Sequence, residues 1–192
     1  MNTLRFVATL PGWLPGYATP NPAAYLTSEA RMGLAIALAQ QNVLEGTGGP
    51  FAAAVFDQHT HQLVSVGVNV VEQCNWSCGH AELVALSLAN QALNTFDLGA
   101  PHLPGYELVS SCEPCVMCLG ATLWSGVKSL LCGARDEDAR AIGFDEGPKP
   151  ADWADQLRRR GIAVTRDVMR DEACKVLQRY KNQGGTIYNP SR

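Results

Sequence analysis

The sequence predicts an α/β protein: a three-layer α/β/α sandwich around a central mixed five-stranded sheet. Three observations carry that expectation. Two apolar runs, "PFAAAVFD" and "QLVSVGVNVV", are joined by "QHTH", the pattern of an antiparallel hairpin. Helix-like and strand-like segments then alternate to the end of the chain. At 192 residues, 46% hydrophobic and 17% charged, the chain is long and apolar enough for one domain with a core of its own.

Residues 1–26 read as an irregular arm, because "PGWLPGYATPNP" is dense in proline and glycine. The domain follows over 27–183. Thr27 or Ser28 can cap a first helix that Gly46 ends, with Met32, Ile36, Ala39 and Val43 at helical spacing. After the hairpin, "HAELVALSLANQAL" is a second helix and "YELVSS" a short buried strand. "CVMCLGATLWSG" is a helix stopped at Gly126, and "VKSLLCGA" a strand. "WADQLRRRGIAVTRD" gives helix then strand, and "RDEACKVLQRYKNQGG" a last helix closed at Gly184. The tail 184–192 is released by two glycines, which allow a sharp change of direction.

Net charge is −3, which argues against a dedicated nucleic-acid surface. The basic run Arg158, Arg159 and Arg160 reads as a solvated helix end. No apolar run has the length of a membrane span, and the first residues make a poor signal peptide. A cytoplasmic location is therefore expected. Seven cysteines, clustered rather than spread, point to metal or catalysis rather than disulfides.

The cluster is "SSCEPCVMCLGA". Cys115 and Cys118 stand three apart at a predicted helix start, which puts both sulfurs on one face. Helix dipole and free N–H groups there favour thiolates, a strong half-site for Zn²⁺. His80, at the start of another predicted helix, supplies a third ligand. Three ligands leave a fourth position for water, as catalytic zinc requires, and Glu82 stands ready to move protons. The rival arrangement is a closed structural site that also recruits Cys112. Extended geometry ahead of Pro114 turns Cys112 away from the pair, and a closed site has no use for Glu82. Cys132 and Cys174 read as core, and Cys78 stays open.

"HAE" with "PCVMC" resembles the zinc-dependent cytidine deaminase superfamily, whose signature pairs H-x-E with P-C-x-x-C. "GGPFAAAVFD", "AIGFDEGP" and "TIYN" further resemble its bacterial guanine deaminase branch. The resemblance implies a zinc-dependent conversion of guanine to xanthine and ammonia, with Glu82 and Glu146 as catalytic groups. It also implies that Asn69 bonds the base, that Phe51, Trp124 and Phe144 wall the pocket, and that Asp145 and Glu146 lie over it. Guanine's N1–H and N2–H₂ are donors, so a carboxylate suits that edge. Glu146 is the expected reader, with Asp145 either sharing the role or bracing the turn through an Asx bond. Asn69 reads O6 or a purine nitrogen. The tail, with Tyr188, is expected to reach a partner's pocket in a homodimer. Alternatives are an aminotriazine, cytosine or nucleoside deaminase, a tRNA adenosine deaminase, and a zinc-stabilised domain without activity.

Overall fold

The computed structural model describes residues 7–17 and 21–190. Parts of the arm and the last two residues of the tail thus lie outside the described residues. Before the domain, two 3-10 turns cover Leu14–Gly16 and Pro22–Tyr25. Two residues of the arm, Leu14 and Tyr25, are buried in the core.

Helix α1, Ser28–Leu44, starts where Thr27 Oγ1 accepts the Ala30 N–H at 3.1 Å. β1 (Ala52–Asp57) and β2 (Leu63–Val68) form the expected antiparallel hairpin, in register Ala54 with Val66. A one-turn helix α2 (Val71–Cys74) leads to α3 (Ala81–Ala92) and β3 (Tyr106–Cys112). Then come α4 (Val116–Ser125), β4 (Ser129–Ala134), α5 (Asp136–Ile142), α6 (Trp153–Arg159), β5 (Ala163–Thr165) and α7 (Arg170–Asn182). The short α2 and α5 go beyond the elements read from the sequence.

The five strands lie in the order β2-β1-β3-β4-β5. β3 pairs antiparallel with β1 and parallel with β4, which pairs parallel with β5. The sheet is therefore mixed, as predicted. Side chains alternate across it. Ala52, Ala54, Phe56, Val109 and Leu131 pack with α1 and α7, whereas Ala53, Val55, Leu108, Leu130 and Cys132 pack with α3, α4 and α6. Burial on both faces explains why these strands read as continuous apolar runs. Cys132 is fully buried, as expected; Cys174 is only half-buried, at the core's margin.

Gly67 sets the height of the site. A Cβ there would lie 2.3 Å from Ala81 O and 2.5 Å from Ala85 N, so only glycine lets the first turn of α3 sit this close to β2. No helix among the described residues is long and apolar enough to cross a membrane.

Candidate active site

His80 is the N-cap residue of α3, and Cys115 is the N-cap residue of α4. Neither side chain caps its own helix, so both are free to face each other. His80 Nδ1 lies 3.4 Å from Cys115 Sγ, and Cys118 sits one turn into α4. The ligand atoms of His80, Cys115 and Cys118 all fall within 4.8 Å of one another. One imidazole and two sulfurs on two facing helix starts fit Zn²⁺. Cys112 is not in this group. It is buried, packs with the α1 layer, and its thiol points to Arg135 O at 3.6 Å. Cys78 is exposed beside Ser77.

The electrostatics follow from the crowding. A hydrogen bond from Cys118 pulls the Cys115 thiol down to about 4, and His80 helps, against burial. The Cys118 thiol is raised, first by that same hydrogen bond. Burial opposes charge on His80, but Cys115, Glu82 and Glu146 together lift its pKa. Glu82, in the first turn of α3, is 7% exposed, and Ser110 Oγ donates to its Oε1 at 3.2 Å. Burial, then the Cys115 thiolate, raises its carboxyl, so it holds a proton more readily than an ordinary glutamate.

His80, Cys115 and Glu82 open onto a cavity of about 310 Å³. Phe51, Asn69, Phe144, Asp145, Glu146 and Tyr188 line it too. Phe51 and Phe144 meet edge to face at 5.0 Å, and Tyr188 tilts against Phe144 at 5.0 Å. Asn69 is 1% exposed, just past β2. Its Oδ1 accepts the Gly49 N–H at 3.4 Å and the Val71 N–H at 3.3 Å. Those bonds fix the amide's orientation and leave Nδ2 as the donor for the cavity.

The loop after α5 brings Asp145 and Glu146. Asp145 Oδ1 accepts the Gly147 N–H at 2.9 Å, the Asx bond the sequence allowed for. Glu146 is buried, and its backbone carbonyl accepts the Val116 N–H at 3.0 Å. Burial pushes its carboxyl up to about 8, with Cys115, Glu82 and Asp136 adding and Lys149 opposing.

One expectation is corrected. Trp124 does not wall this cavity: it is 89% exposed on the outer face of α4. The tail lies over the pocket of its own chain, where Tyr188 and Asn189 join the lining. Asn189 Oδ1 accepts the Asp145 N–H at 2.9 Å, its Nδ2 donates to Gly143 O at 2.9 Å, and Tyr188 is half-buried against Phe144. Sequence reasoning also missed Ser110, Asn189 and the buried Glu113 and Lys149 behind the site. Lone polar residues in a strand or turn give no signal of their own.

Residues 27–134 match the family described as the cytidine and deoxycytidylate deaminase zinc-binding region. The chain belongs to that family. Among its relatives, the guanine deaminase of Bacillus subtilis is 38% identical over 112 residues, 58% of this chain and 67% of that one. The solved guanine deaminase of Nitrosomonas europaea is 46% identical, covers 93% of this chain and 97% of its own, and superposes with a TM-score of 0.88. A structure solved with 2,6-diaminopurine is 49% identical over 94% of this chain and 95% of its own, with a TM-score of 0.87. As a member of the family, this chain is a zinc-dependent hydrolytic deaminase.

Proposed function

We propose that this deaminase hydrolyses guanine to xanthine and ammonia. The observation that carries the reading is the pair of polar groups in the aromatic cavity: the Asn69 amide donor and the Glu146 carboxyl. Guanine presents N1–H and N2–H₂ beside the O6 and ring-nitrogen acceptors. Glu146 accepts from the donor edge, and keeps a carbonyl oxygen for that purpose even when protonated. Asn69 Nδ2 donates to O6 or a purine nitrogen. Phe51 and Phe144 flank the ring. Asp145 braces the loop instead of reading the base. Relatives named guanine deaminase, and one solved with a diaminopurine, support the substrate class.

His80, Cys115 and Cys118 would hold the zinc, which would supply the Lewis acid that activates water at neutral pH. Glu82 takes the proton that water gives up. It delivers that proton to the ring nitrogen beside C2 as C2 becomes tetrahedral, and Ser110 keeps the carboxyl aimed. Glu82 then takes the proton of the new hydroxyl on C2 as the carbonyl forms and, with Glu146 at the amine edge, passes that one proton to the departing amine, so the C2–N bond breaks and ammonia leaves. The tail excludes bulk water and leaves little room for a base still attached to a polymer.

We further propose a homodimer in the cytoplasm. α4 carries no charged residue, and its Val116 and Trp124 are exposed. Such a face suits a second copy, and unpaired cysteines suit a reducing compartment. Light scattering of Trp124→Lys against wild type tests the dimer; a wild-type monomer sinks it.

Ammonia release should be screened over guanine, adenine, cytidine, an aminotriazine and tRNA. Guanine should lead. Glu82→Gln should keep zinc and lose about 10²-fold or more of the turnover. Preference for cytidine or tRNA adenosine would overturn the reading.

A further inference from the structure

Lys149 has no part in the chemistry above, yet its side chain is 5% exposed. Its ammonium donates to Pro114 O at 3.1 Å, lies 3.2 Å from Asp136 Oδ1 and 3.6 Å from Glu113 Oε2, and stands 4.8 Å over the Trp153 ring. A lysine taken out of water needs such company. Its partners are also well placed. Glu113 and Pro114 immediately precede the ligand Cys115, and Asp136 opens the helix that leads to Glu146. We infer that Lys149 is a positioning residue that ties loop 143–149 to the metal-ligand loop and thereby fixes where Glu146 stands.

Neighbouring contacts run the same way. The Val116 N–H holds Glu146 O, and the Lys149 N–H returns to Gly147 O at 3.0 Å. Gly147 has φ +73°, and a Cβ there would come within 2.4 Å of Val116 Cγ1, so the loop lies flat on the start of α4. Charge balance shows why Lys149 is a tie rather than a neutraliser. Glu113 also holds Arg166 at 2.5 Å, and Asp136 also holds Arg140 at 2.7 Å. Each carboxylate keeps a guanidinium without Lys149. The bond from loop to Pro114 O is what disappears.

The inference rests on the guanine reading, and a double-mutant cycle separates the two. Lys149→Met should keep zinc content, speed amide exchange at Val116, and lower kcat on guanine on the order of tenfold to a hundredfold, the scale of a displaced catalytic group. In a Glu146→Gln background the same change should alter kcat by less than about twofold, because the group it positions is already gone. If Lys149→Met does not fold, Lys149→Gln, which is one atom shorter and keeps an N–H donor group but loses the charge, runs the same cycle with a smaller drop. Equal losses in both backgrounds, or wild-type kcat with unchanged Val116 exchange, would overturn the tie while wild-type guanine turnover stands. Wild-type protein that releases no ammonia from guanine brings down the substrate reading and this inference together.

Discussion

Gly49→Ala places one methyl group under the C-terminal tail. A Cβ on Gly49 would lie 2.5 Å from Tyr188 Oη and 2.9 and 3.1 Å from two of its ring carbons. Gly49 is not among the residues with positive φ, so its backbone accepts alanine and the collision falls on the ring. Phe144 stands 5.0 Å away on the ring's flank and limits sideways escape. The tail must lift. Burying a ring of this size is worth about 1.5–3 kcal/mol, and the aromatic contact adds about 0.5–1.5 kcal/mol. Losing roughly 2–4 kcal/mol of docking opens the tail about 30-fold to 10³-fold more often. Limited chymotrypsin digestion reads this directly, because cleavage at Tyr188 follows the open population when reclosing is fast. Cleavage should accelerate by at least about 30-fold. The KM for guanine should rise while zinc content stays the same. Wild-type cleavage at Tyr188 with wild-type KM would refute the seating of the tail on Gly49.

Three further outcomes are expected. Cys115→Ala should strip zinc, whereas Cys112→Ala should keep both zinc and activity for about 1 kcal/mol of stability, the scale of one small buried group; metal analysis decides, and zinc lost from Cys112→Ala restores the closed site. Tyr188 Oη is buried without a hydrogen-bond partner, a penalty of about 1–3 kcal/mol, so Tyr188→Phe should melt no lower than wild type while the KM for guanine rises. A lower Tm would show that the hydroxyl is already satisfied. Arg170 holds the Asp138 carboxyl down to about 2, below its unfolded value of about 3.9. That contribution is complete above about pH 4 and is lost as pH falls through about 2, so melts should drop across that window and Arg170→Met should flatten the drop. An unchanged acid profile in the variant would refute it.

The metal site was legible because each half fits within one helical turn, where spacing fixes geometry. His80 with Glu82, and Cys115 with Cys118, need no distant residue to be placed. The sheet was legible because its strands are buried on both faces. Trp124 was misread because α4 is apolar on both sides; only packing shows Cys118, Leu119 and Thr122 turned inward and Trp124 outward. The orientation of Asn69 depends on the Gly49 N–H, twenty residues away, which no local pattern reports. The same limit applies to the tail, since Gly184 and Gly185 permit many directions. α5 was missed because "DEDARAI" buries only Ala139 and Ile142, too few for a period.

The family match ends at Ala134, the last residue of β4. The nucleophile's machinery therefore lies inside the matched region. Most of the pocket's covering, Phe144 to Glu146 and then Tyr188 and Asn189, comes from chain that follows it. Surface segments of that kind tolerate changes in length and sequence that a buried sheet does not. The metal ligands, Glu82 and the Asn69 side of the pocket thus share one stretch of polypeptide, and the Glu146 side comes from another. A chimera joining this metal-bearing half to another member's covering segments should keep zinc, and its choice of base should change only at the edge that Glu146 meets.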